Sequence, residues 1–294
     1  MVRRLLKFSA EELKMTCVSI LKSVGASDYE ASIVADVLVE ANLRGVDSHG
    51  IIRLPIYVKR VQLGLIKVRS KTQIVRESPS TALIDGDNGF GQVVAVEAME
   101  VAIKKAKKSG VGLAGVFNTN HIGIAAYYSM MALKYDMIGL AISNTAPVIA
   151  PWGGRARILG NTPFSFAIPA DKQEPVVLDM ATSVVAGGKI ILAKSRKERI
   201  PEGWALDEMG RPTTDPASVF GEKGWIGTLQ PFGGYKGYGL NFVLELLCSA
   251  LVGANFSKDI VSMYDLSKPW KAGNLMMAID VNHFAPVDRF KQTV

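Results

Sequence analysis

The chain has 294 residues, a hydrophobic fraction of 48% and a formal net charge of +7. This length allows a large buried core and two domains, and the absence of any run of about 18 apolar residues argues against a membrane-spanning helix. The N-terminal stretch MVRRLLKFSAEELK becomes polar again within a few residues, so we expect no secretory signal peptide and a cytoplasmic location.

The first part of the chain is predicted to be helical. SAEELKMTCVSILKSVG and SDYEASIVADVLVEANLRG carry apolar residues at helical spacing, and each begins with a Ser-x-x-Glu capping box, at Ser9–Glu12 and Ser27–Glu30. Gly45 is placed to end the second helix, and a third helix is expected after Pro55. Residues 1–73 are therefore predicted to form a helical N-terminal domain.

Near residue 70 the pattern changes, and residues 74–294 are predicted to form an α+β domain. In chain order we expect two strands and a Gly-rich loop in TQIVRESPSTALIDGDNGFGQ, a helix in VVAVEAMEVAIKKAKKSG, a strand in GVGLAGVFNTN, a helix in AAYYSMMALKY and a strand in MIGLAISNT. Short strands in NTPFSFAIPA and PVVLDMAT, a long polar loop in PEGWALDEMGRPTTDP, a buried helix in GYGLNFVLELLCSALVGA and a last strand in NLMMAIDV follow.

Cysteine usage and basic clusters say little about chemistry. Cys17 and Cys248 lie in apolar helical patterns and are expected to be buried free thiols, with a disulfide between them as the alternative.

Basic residues cluster in KKAKK (104–108) and KSRKER (194–199), which could indicate nucleic-acid binding. Since no aromatic residues interleave the clusters, we favour a solvated helix face and a solvated loop, and we expect no nucleic-acid partner. A mildly basic surface also suits a small anionic substrate.

Several common catalytic motifs are missing. No GxGxxG follows a predicted strand and opens a helix, and the spacing in GDNGFGQ differs, which argues against a Rossmann dinucleotide site. No GxxxxGK[ST], HExxH or GxSxG motif occurs, and no residues show metal-ligand spacing. Common phosphate-binding and hydrolase chemistries are therefore disfavoured, and no metal is predicted.

The stretch GVDSHGIIR joins a histidine to an arginine in a chain with 3 histidines. His49 can carry a proton near neutral pH, and Arg53, about one helical turn later, offers a rigid fork for a carboxylate. The pair suits a 2-oxo acid, with the arginine on the carboxylate and the histidine on the oxygen that becomes an alcohol. The alternative is a helix-capping histidine beside a surface arginine.

Two further segments are candidates for the site. His121, in FNTNHIGIAAYY, lies at the end of a predicted strand, where functional residues are common, although a structural loop histidine is an equal alternative. Lys236, in PFGGYKGYGL, is surrounded by glycines that let backbone approach a ligand, or that form a tight turn before a helix. His283, in DVNHFAP, is interpreted as structural.

The motifs DSHGIIR, NTNHIGIAAYY, PWGG, LGNTPFSFAIP, LDMAT, IPEGWALDEMGRPTTDP and GGYKGYGL occur in an order that resembles the malate/L-lactate dehydrogenase family. This non-Rossmann family includes ureidoglycolate, sulfolactate and diketogulonate enzymes, and the resemblance runs from about residue 8 to residue 290. It implies an oxidoreductase that uses NAD, or NADP, on small 2-hydroxy and 2-oxo acids. It also implies a mixed or antiparallel sheet in the cofactor domain and a homodimer.

The resemblance also implies roles for individual residues. His49 matches a proton donor or acceptor, Ser48 a residue that orients its ring, and Arg53 the carboxylate-binding residue. His121 matches a histidine assigned as proton acceptor in some members, and which histidine moves the proton stays open. Contacts to the nicotinamide cofactor are implied for Thr145, Asp179, Met180, Ala181 and Lys236, and Asp179 is also expected to polarise a catalytic histidine.

The chain departs from the family pattern in two places. GNTP at residues 160–163 replaces the usual GTNP, which exchanges the places of two polar side chains next to an expected cofactor contact. Members usually continue beyond the AIDVNHFAP strand with a helical extension, which we expect to be absent here, leaving apolar surface on the first two helices uncovered. A catalytically weak, ligand-binding truncated relative is therefore the alternative function.

Overall fold

The computed structural model describes residues 7–222 and 224–294. Residues 1–6, which begin the segment on which the prediction about a signal peptide rests, lie outside these residues. Within the described residues, no helix combines the length and apolar character needed to cross a bilayer.

The N-terminal helices begin where the sequence predicts. Helices α1 (Ala10–Ser23) and α2 (Asp28–Leu43) both start with complete capping boxes, in which serine and glutamate exchange hydrogen bonds with each other's backbone amides. Gly45, just after α2, has a φ of 73°, which glycine adopts without the strain other residues incur. Helix α3 (Leu54–Gln62) has proline in its first turn. The three predicted helices are confirmed. Their caps could be read from the sequence because capping residues contact only residues a few positions away.

The body is built on a mixed sheet whose strands lie in the order β1-β2-β3-β12-β4-β5-β6 within the described residues. The pairing of β2 with β3 is parallel, and the other neighbouring pairs are antiparallel. This arrangement agrees with the predicted α+β class and differs from a doubly wound parallel sheet. The strands are β1 (Gln73–Glu77), β2 (Thr81–Asp85), β3 (Val111–Thr119), β4 (Met137–Ser143), β5 (Phe164–Ile168), β6 (Val176–Met180) and β12 (Ala272–Asp280).

Five helices accompany the sheet in the described part of the chain. The long helix α4 connects the parallel strands β2 and β3 and lies so close to β3 that a Cβ at Gly112 would stand 1.9 Å from the Ala102 carbonyl oxygen. Small residues on both elements therefore set their spacing. The helices are α4 (Gly91–Ser109), α5 (Ala126–Met131), α6 (Gly187–Arg196), α7 (Tyr235–Cys248) and α8 (Val287–Thr293).

The stretch predicted as a long polar loop contains short strands. Strands β7 (Ala205–Leu206), β8 (Pro212–Thr213) and β11 (Thr228–Leu229) form a small sheet, and β9 (Phe220–Gly221) pairs with β10 (Gly224–Trp225). Two-residue strands carry too little periodicity to be read from sequence.

Three other predictions need correction. Helix α6 was not predicted, and the first residues of KSRKER lie on its last turn rather than in a loop. Helix α7 ends at Cys248 and is not buried all round, since Leu240 and Val243 are 39% and 53% exposed. The last strand is followed by α8, which the sequence reading did not include.

The N-terminal helices share a core with the body. Leu21, Leu38 and Tyr57 pack in one buried cluster with Phe90 and Trp270. The proposed division at residues 73 and 74 falls at the start of β1, and the packing shows that the two parts are joined by a common apolar cluster.

Both cysteines are free and buried. Cys17 and Cys248 are 3% and 0% exposed, and burial raises the pKa of each thiol. The predicted free thiols are confirmed, and neither sulfur is a candidate nucleophile.

Candidate functional site

A cleft of about 710 Å³ lies where the N-terminal helices meet the body. This volume is typical of a site for a small ligand or part of a cofactor. Four predicted site residues line it: His49, Arg53, His121 and Thr145. The remaining wall comes from the segment after β4, the loop before α6 and the start of that helix, the short strands β9, β10 and β11, and the loop before β12.

His49 is placed by two short 3-10 turns that follow α2, Asp47–His49 and Ile51–Arg53. Gly50 joins the turns, and a Cβ there would stand 2.1 Å from the Asn42 side-chain oxygen, which accepts a hydrogen bond from the Ile51 amide at 2.9 Å. A glycine is thus needed for Asn42 to pin the second turn. Ser48 Oγ lies 2.9 Å from His49 Nδ1, the contact expected of a residue that orients the ring.

His121 is held by the Gly-rich loop before α4. The Asn120 side chain donates to the Gly89 carbonyl at 2.8 Å, and a Cβ at Gly91 would stand 2.2 Å from the Asn120 carbonyl oxygen and 2.5 Å from that of His121. The glycines in GDNGFGQ therefore let this loop press against the backbone that carries the histidine. That role explains their spacing without a phosphate ligand.

Three aromatic rings form a continuous stack in the cleft. The His121 ring lies between those of His49 and Trp270, with centroid distances of 5.4 Å on both sides. His121 Nδ1 lies 2.7 Å from the Tyr57 hydroxyl and 3.3 Å from the Gly123 amide nitrogen. The structure therefore brings the two predicted histidines together, and it fixes the His121 ring through Nδ1.

Both imidazoles are held in the neutral form. Burial, followed by the nearby charge of Arg53, lowers the pKa of His49 from 6.5 to about 4. The pKa of His121 is lowered well below its ordinary value by burial, with His49 and Arg53 adding to the effect. An anion placed beside Arg53 would oppose part of this shift.

Arg53 is braced on one side of its guanidinium. Nε donates to the Ser48 carbonyl at 2.6 Å, and Nη1 donates to the Tyr264 hydroxyl and contacts the Met263 sulfur at 3.2 Å. Among the described residues, Nη2 has no hydrogen-bond partner. Because a guanidinium carries five N–H donors, the side chain retains donors for a carboxylate in the cleft.

The wall that carries Tyr264 is anchored by a second arginine. Arg60, 1% exposed, donates to the carbonyl oxygens of Met263 at 3.2 Å, Asp265 at 2.8 Å and Lys268 at 3.3 Å. A buried guanidinium needs such partners. Arg60 therefore fixes the loop before β12 through its main chain.

Another cation, Arg157, lines the same cleft. Its Nη1 donates to the Gly227 carbonyl at 3.1 Å, which holds the side chain against β11. Burial lowers the pKa of this guanidinium, and an arginine side chain keeps its proton at neutral pH in proteins. The cleft thus offers a second fixed positive charge besides Arg53.

The exchanged residues in GNTP have separate partners. Asn161 Oδ1 accepts from Thr145 Oγ1 at 2.9 Å, and Thr162 Oγ1 donates to Glu245 at 3.2 Å. Glu245 is fully buried on α7 and also accepts from the Asn144 side chain at 3.3 Å. The swap therefore places the amide at the cleft wall beside Thr145 and the hydroxyl against a buried carboxylate.

The other predicted cofactor residues lie around this segment and outside the cleft lining. Asp179 and Met180 end β6 and Ala181 follows it, and the next residue, Thr182, donates through its amide to the Asn161 carbonyl at 2.9 Å. Lys236 is exposed in the first turn of α7. Asp179 accepts from the Ala126 amide at 3.3 Å, and neither imidazole is its hydrogen-bond partner in the described structure. The expected polarisation of a histidine by Asp179 is not seen in these contacts.

A nicotinamide cofactor fits the groups that surround residues 160–162. The buried Thr182 hydroxyl has no partner among the described residues, and the polar residues Thr145 and Asn161 line the cleft. Lys236 follows two glycines with φ of 58° and 66°, so backbone there can approach a ligand closely. Among the described residues, no cluster of three or more His, Cys, Asp or Glu could bind a metal ion.

The comparisons with known proteins agree with this geometry. A sequence model of the family described as malate/L-lactate dehydrogenase matches residues 8–294. The chain belongs to this family. Membership makes it an oxidoreductase.

Relatives in the family differ in their named substrates. A malate/(S)-sulfolactate dehydrogenase from Methanothermus fervidus is 44% identical over 97% of this chain and 83% of its own length. A ureidoglycolate dehydrogenase named for NAD(+), from Escherichia coli K12, is 35% identical over 98% of this chain and 80% of its own length. The structure of a sulfolactate dehydrogenase from Methanocaldococcus jannaschii superposes with a TM-score of 0.91 at 45% identity, covering 98% of this chain and 82% of that one.

The cofactor prediction agrees with these names. Besides the NAD(+) enzyme, a (2R)-3-sulfolactate dehydrogenase among the relatives is named for NADP(+). NAD, with NADP as the other candidate, is therefore the cofactor class of this chain.

The sequence analysis did not predict Tyr57, which contacts His121, or three residues that line the cleft, Arg157, Tyr264 and Trp270. Tyr57 lies two residues after Pro55 on α3, and the DSHGIIRLPIY stretch could have suggested it, because its spacing from Arg53 is one helical turn. The other three reach the cleft from distant loops, and nothing in their local sequence signals this.

Proposed function

We propose that this chain is a NAD(P)-dependent 2-hydroxyacid dehydrogenase whose substrate carries a second acidic group, as malate and sulfolactate do. The observation that carries the proposal is the convergence of Arg53, His49 and His121 in one cleft. An arginine with free donors and a stacked pair of neutral imidazoles supply what reduction of a 2-oxo acid needs at its carboxylate and its carbonyl oxygen.

In the proposed reaction Arg53 binds the substrate carboxylate through its unpartnered guanidinium nitrogen, a charge-assisted contact. A bound nicotinamide supplies the hydride for the carbonyl carbon. One imidazole gives a proton to the carbonyl oxygen, which completes the alcohol, and the other donates a hydrogen bond to that oxygen. Ser48 orients His49, and the Arg60-anchored loop closes the carboxylate side of the cleft.

Residues around 160–162 are proposed to hold the cofactor. Thr145, Ala181 and the adjoining Asp179 and Met180 approach it from β4 and β6, and Lys236 approaches from α7. The support is that three elements meet at this segment: Thr145 bonds Asn161, Thr182, next to Ala181, also bonds Asn161, and Asn241, on the same helix as Lys236, donates through its amide to the Gly160 carbonyl at 2.8 Å.

The second acidic group of the substrate is proposed to bind Arg157. Two arginines in one cleft favour a dianion over pyruvate, which has a single carboxylate. Relatives named for malate, (S)-sulfolactate or L-sulfolactate are 43% to 45% identical to this chain, whereas those named for ureidoglycolate are 35% identical and one named for (2R)-3-sulfolactate is 33% identical. Both malate and sulfolactate carry two acidic groups.

We also propose a homodimer. Helix α7 presents Leu240, Phe242 and Val243 to solvent, and the neighbouring edge strand β6 exposes Val176 and Leu178. Exposed apolar patches of this kind are typical of protein interfaces.

The test is NADH oxidation by the purified chain with oxaloacetate, sulfopyruvate and pyruvate, and with ureidoglycolate and NAD in the reverse direction. We expect the highest kcat/KM with a dianionic oxo acid. Arg157→Gln should lower kcat/KM for that substrate by tenfold or more relative to pyruvate, and Arg155→Gln, an adjacent exposed arginine, serves as the control. No turnover by the folded chain would refute the dehydrogenase, and equal losses with both substrates would remove Arg157 from substrate recognition.

A further inference from the structure

The two stacked histidines differ in what surrounds their Nδ1 atoms. His121 Nδ1 faces the Gly123 amide nitrogen at 3.3 Å, and a main-chain N–H can donate but not accept. His121 Nδ1 must therefore present its lone pair, because a proton there would point at another proton. The Nδ1 of His49 faces the Ser48 hydroxyl, which can either donate or accept.

Tyr57 reinforces this difference. Its hydroxyl lies 2.7 Å from His121 Nδ1, and the side chain is 1% exposed, so the contact is sheltered from water. A hydroxyl can take either role, but with Nδ1 already accepting from Gly123, the Tyr57 O–H donates. Two donors thus converge on one ring nitrogen.

In a neutral imidazole, a lone pair on Nδ1 places the hydrogen on Nε2. The groups that face His121 are the rings of His49 and Trp270, the Tyr57 hydroxyl, the Gly123 amide and the charge of Arg53. None of them is an anion that would favour a second proton on the ring. His121 therefore stays neutral and keeps one N–H available to the cleft.

His49 can gain a second proton more readily. Its Nδ1–H can donate to Ser48 Oγ, so the imidazolium has a partner already in place. Arg53 disfavours this charge in the free protein, and a substrate carboxylate bound to Arg53 opposes that effect. The substrate itself thus makes protonation of His49 easier.

We propose that Tyr57 and the Gly123 amide hold His121 as the Nε2–H tautomer, so that His121 hydrogen-bonds the substrate oxygen while His49 transfers the proton. This inference rests on the proposed function. In the reduction, the His49 imidazolium gives one ring proton to the oxygen of the former carbonyl and becomes neutral, as the carbon receives hydride from the nicotinamide. Solvent then reprotonates His49. Tyr57 is a positioning residue, since it acts through His121.

The tautomer can be read directly by NMR of the chain labelled with 15N in its histidines. The chain has 3 histidines, and His283→Asn, outside the site, assists their assignment. We expect the unliganded protein at neutral pH to show an unprotonated Nδ1 and a protonated Nε2 at His121. Tyr57→Phe should introduce the other tautomer, and Tyr127→Phe is the control for loss of a hydroxyl elsewhere. An Nδ1–H signal for His121 in the wild type would overturn the proposal.

Activity tests the division of labour. His121→Gln keeps an N–H donor and should retain kcat within about tenfold of the wild type, whereas His49→Gln should lose about 10²- to 10⁴-fold. Tyr57→Phe should lower kcat about tenfold with the KM for NADH unchanged. A larger loss for His121→Gln than for His49→Gln, in variants with native circular dichroism, would reverse the assignment. Absence of turnover by the wild type would refute the proposed function and the role of His49, while the NMR spectrum would still decide the tautomer.

Discussion

The imidazole rings of His49 and His121 stack with their centroids 5.4 Å apart and their planes 23° from parallel. Two imidazolium ions at this distance would repel each other, and Arg53 adds a third positive charge. Protonation of His49 and His121 is therefore disfavoured unless an anion binds beside them. This property links substrate charge, protonation and protein stability, and it leads to the first prediction.

Stability should fall as the pH is lowered through the range in which His49 titrates. The pKa of His49 is about 4 in the folded chain and 6.5 when free, so the unfolded chain binds more protons between these values. The free energy of unfolding is therefore unaffected by this group above about pH 6.5 and decreases below it, by up to about 3 kcal/mol near pH 4. Urea denaturation of the wild type and His49→Gln at pH 7 and pH 4.5 measures the difference.

Because carboxylates also titrate in this range, the comparison between variants isolates the histidine. His283→Gln, on a partly exposed side chain beside Asp280, provides the control. The prediction is contradicted if His49→Gln and the wild type lose the same free energy of unfolding between the two pH values.

Arg53→Ala should raise KM for the oxo acid and leave KM for NADH nearly unchanged. Loss of a charge-assisted contact to a carboxylate corresponds to roughly 2–4 kcal/mol of binding free energy. Arg53→Lys should lie between the wild type and alanine, since it keeps the charge and loses the fork. Steady-state kinetics with the best substrate measures both constants, and Lys59→Ala, on the exposed face of α3, is the control. An unchanged KM for the oxo acid would remove Arg53 from the site.

Gly91→Ala should displace the backbone that carries His121. The added Cβ would stand 2.2 Å and 2.5 Å from two main-chain oxygens, which cannot move as a flexible side chain could. We expect a loss of about 1–3 kcal/mol in stability and a fall in kcat. Gly239→Ala is a matched control, since Gly239 is also helical and has no atom within 4 Å of its added Cβ. Thermal unfolding and kcat together test this, and a variant with wild-type values of both would refute the role assigned to Gly91.

Glu245→Ala should destabilise the fold and raise KM for NADH. The buried carboxylate accepts from Thr162, Asn144 and the Ser257 amide. Removing it leaves the Thr162 hydroxyl and the Ser257 amide without partners, while Asn144 keeps its bond to the Asn255 carbonyl. Such losses cost about 2–4 kcal/mol. The KM effect follows because Thr162 adjoins Asn161 in the segment proposed to hold the cofactor.

Glu245→Gln separates the two effects. It retains an oxygen acceptor and should recover much of the stability, with a KM closer to that of the wild type. Glu11→Ala, on the exposed face of α1, controls for loss of a glutamate. If Glu245→Ala unfolds at the wild-type urea concentration, the carboxylate does not support the segment.

The sequence was informative wherever the structure depends on near neighbours. The capping boxes at Ser9 and Ser27, the end of α2 at Gly45 and the pairing of Ser48 with His49 all join residues within a few positions. The ordered motifs identified the family, whose sheet lacks the parallel doubly wound topology.

Contacts between distant segments could not be predicted. Tyr57 on α3 and Trp270 in the loop before β12 both contact His121. Local periodicity in the sequence does not predict contacts between such distant segments. The exposed face of α7 was also mispredicted, because an apolar sequence does not tell a helix buried in the core from one whose outer face stays uncovered.

Arg60 holds the wall of the cleft by three main-chain oxygens and by none of the loop's side chains. The hydrogen bonds from Arg60 therefore do not depend on which side chains the loop carries. Tyr264 and its neighbours can be exchanged while the backbone that presents them stays in place. Substitutions in this loop can thus change substrate specificity without loss of the loop's backbone conformation. The loop around residue 264 is therefore the position at which to diversify this enzyme toward other acids.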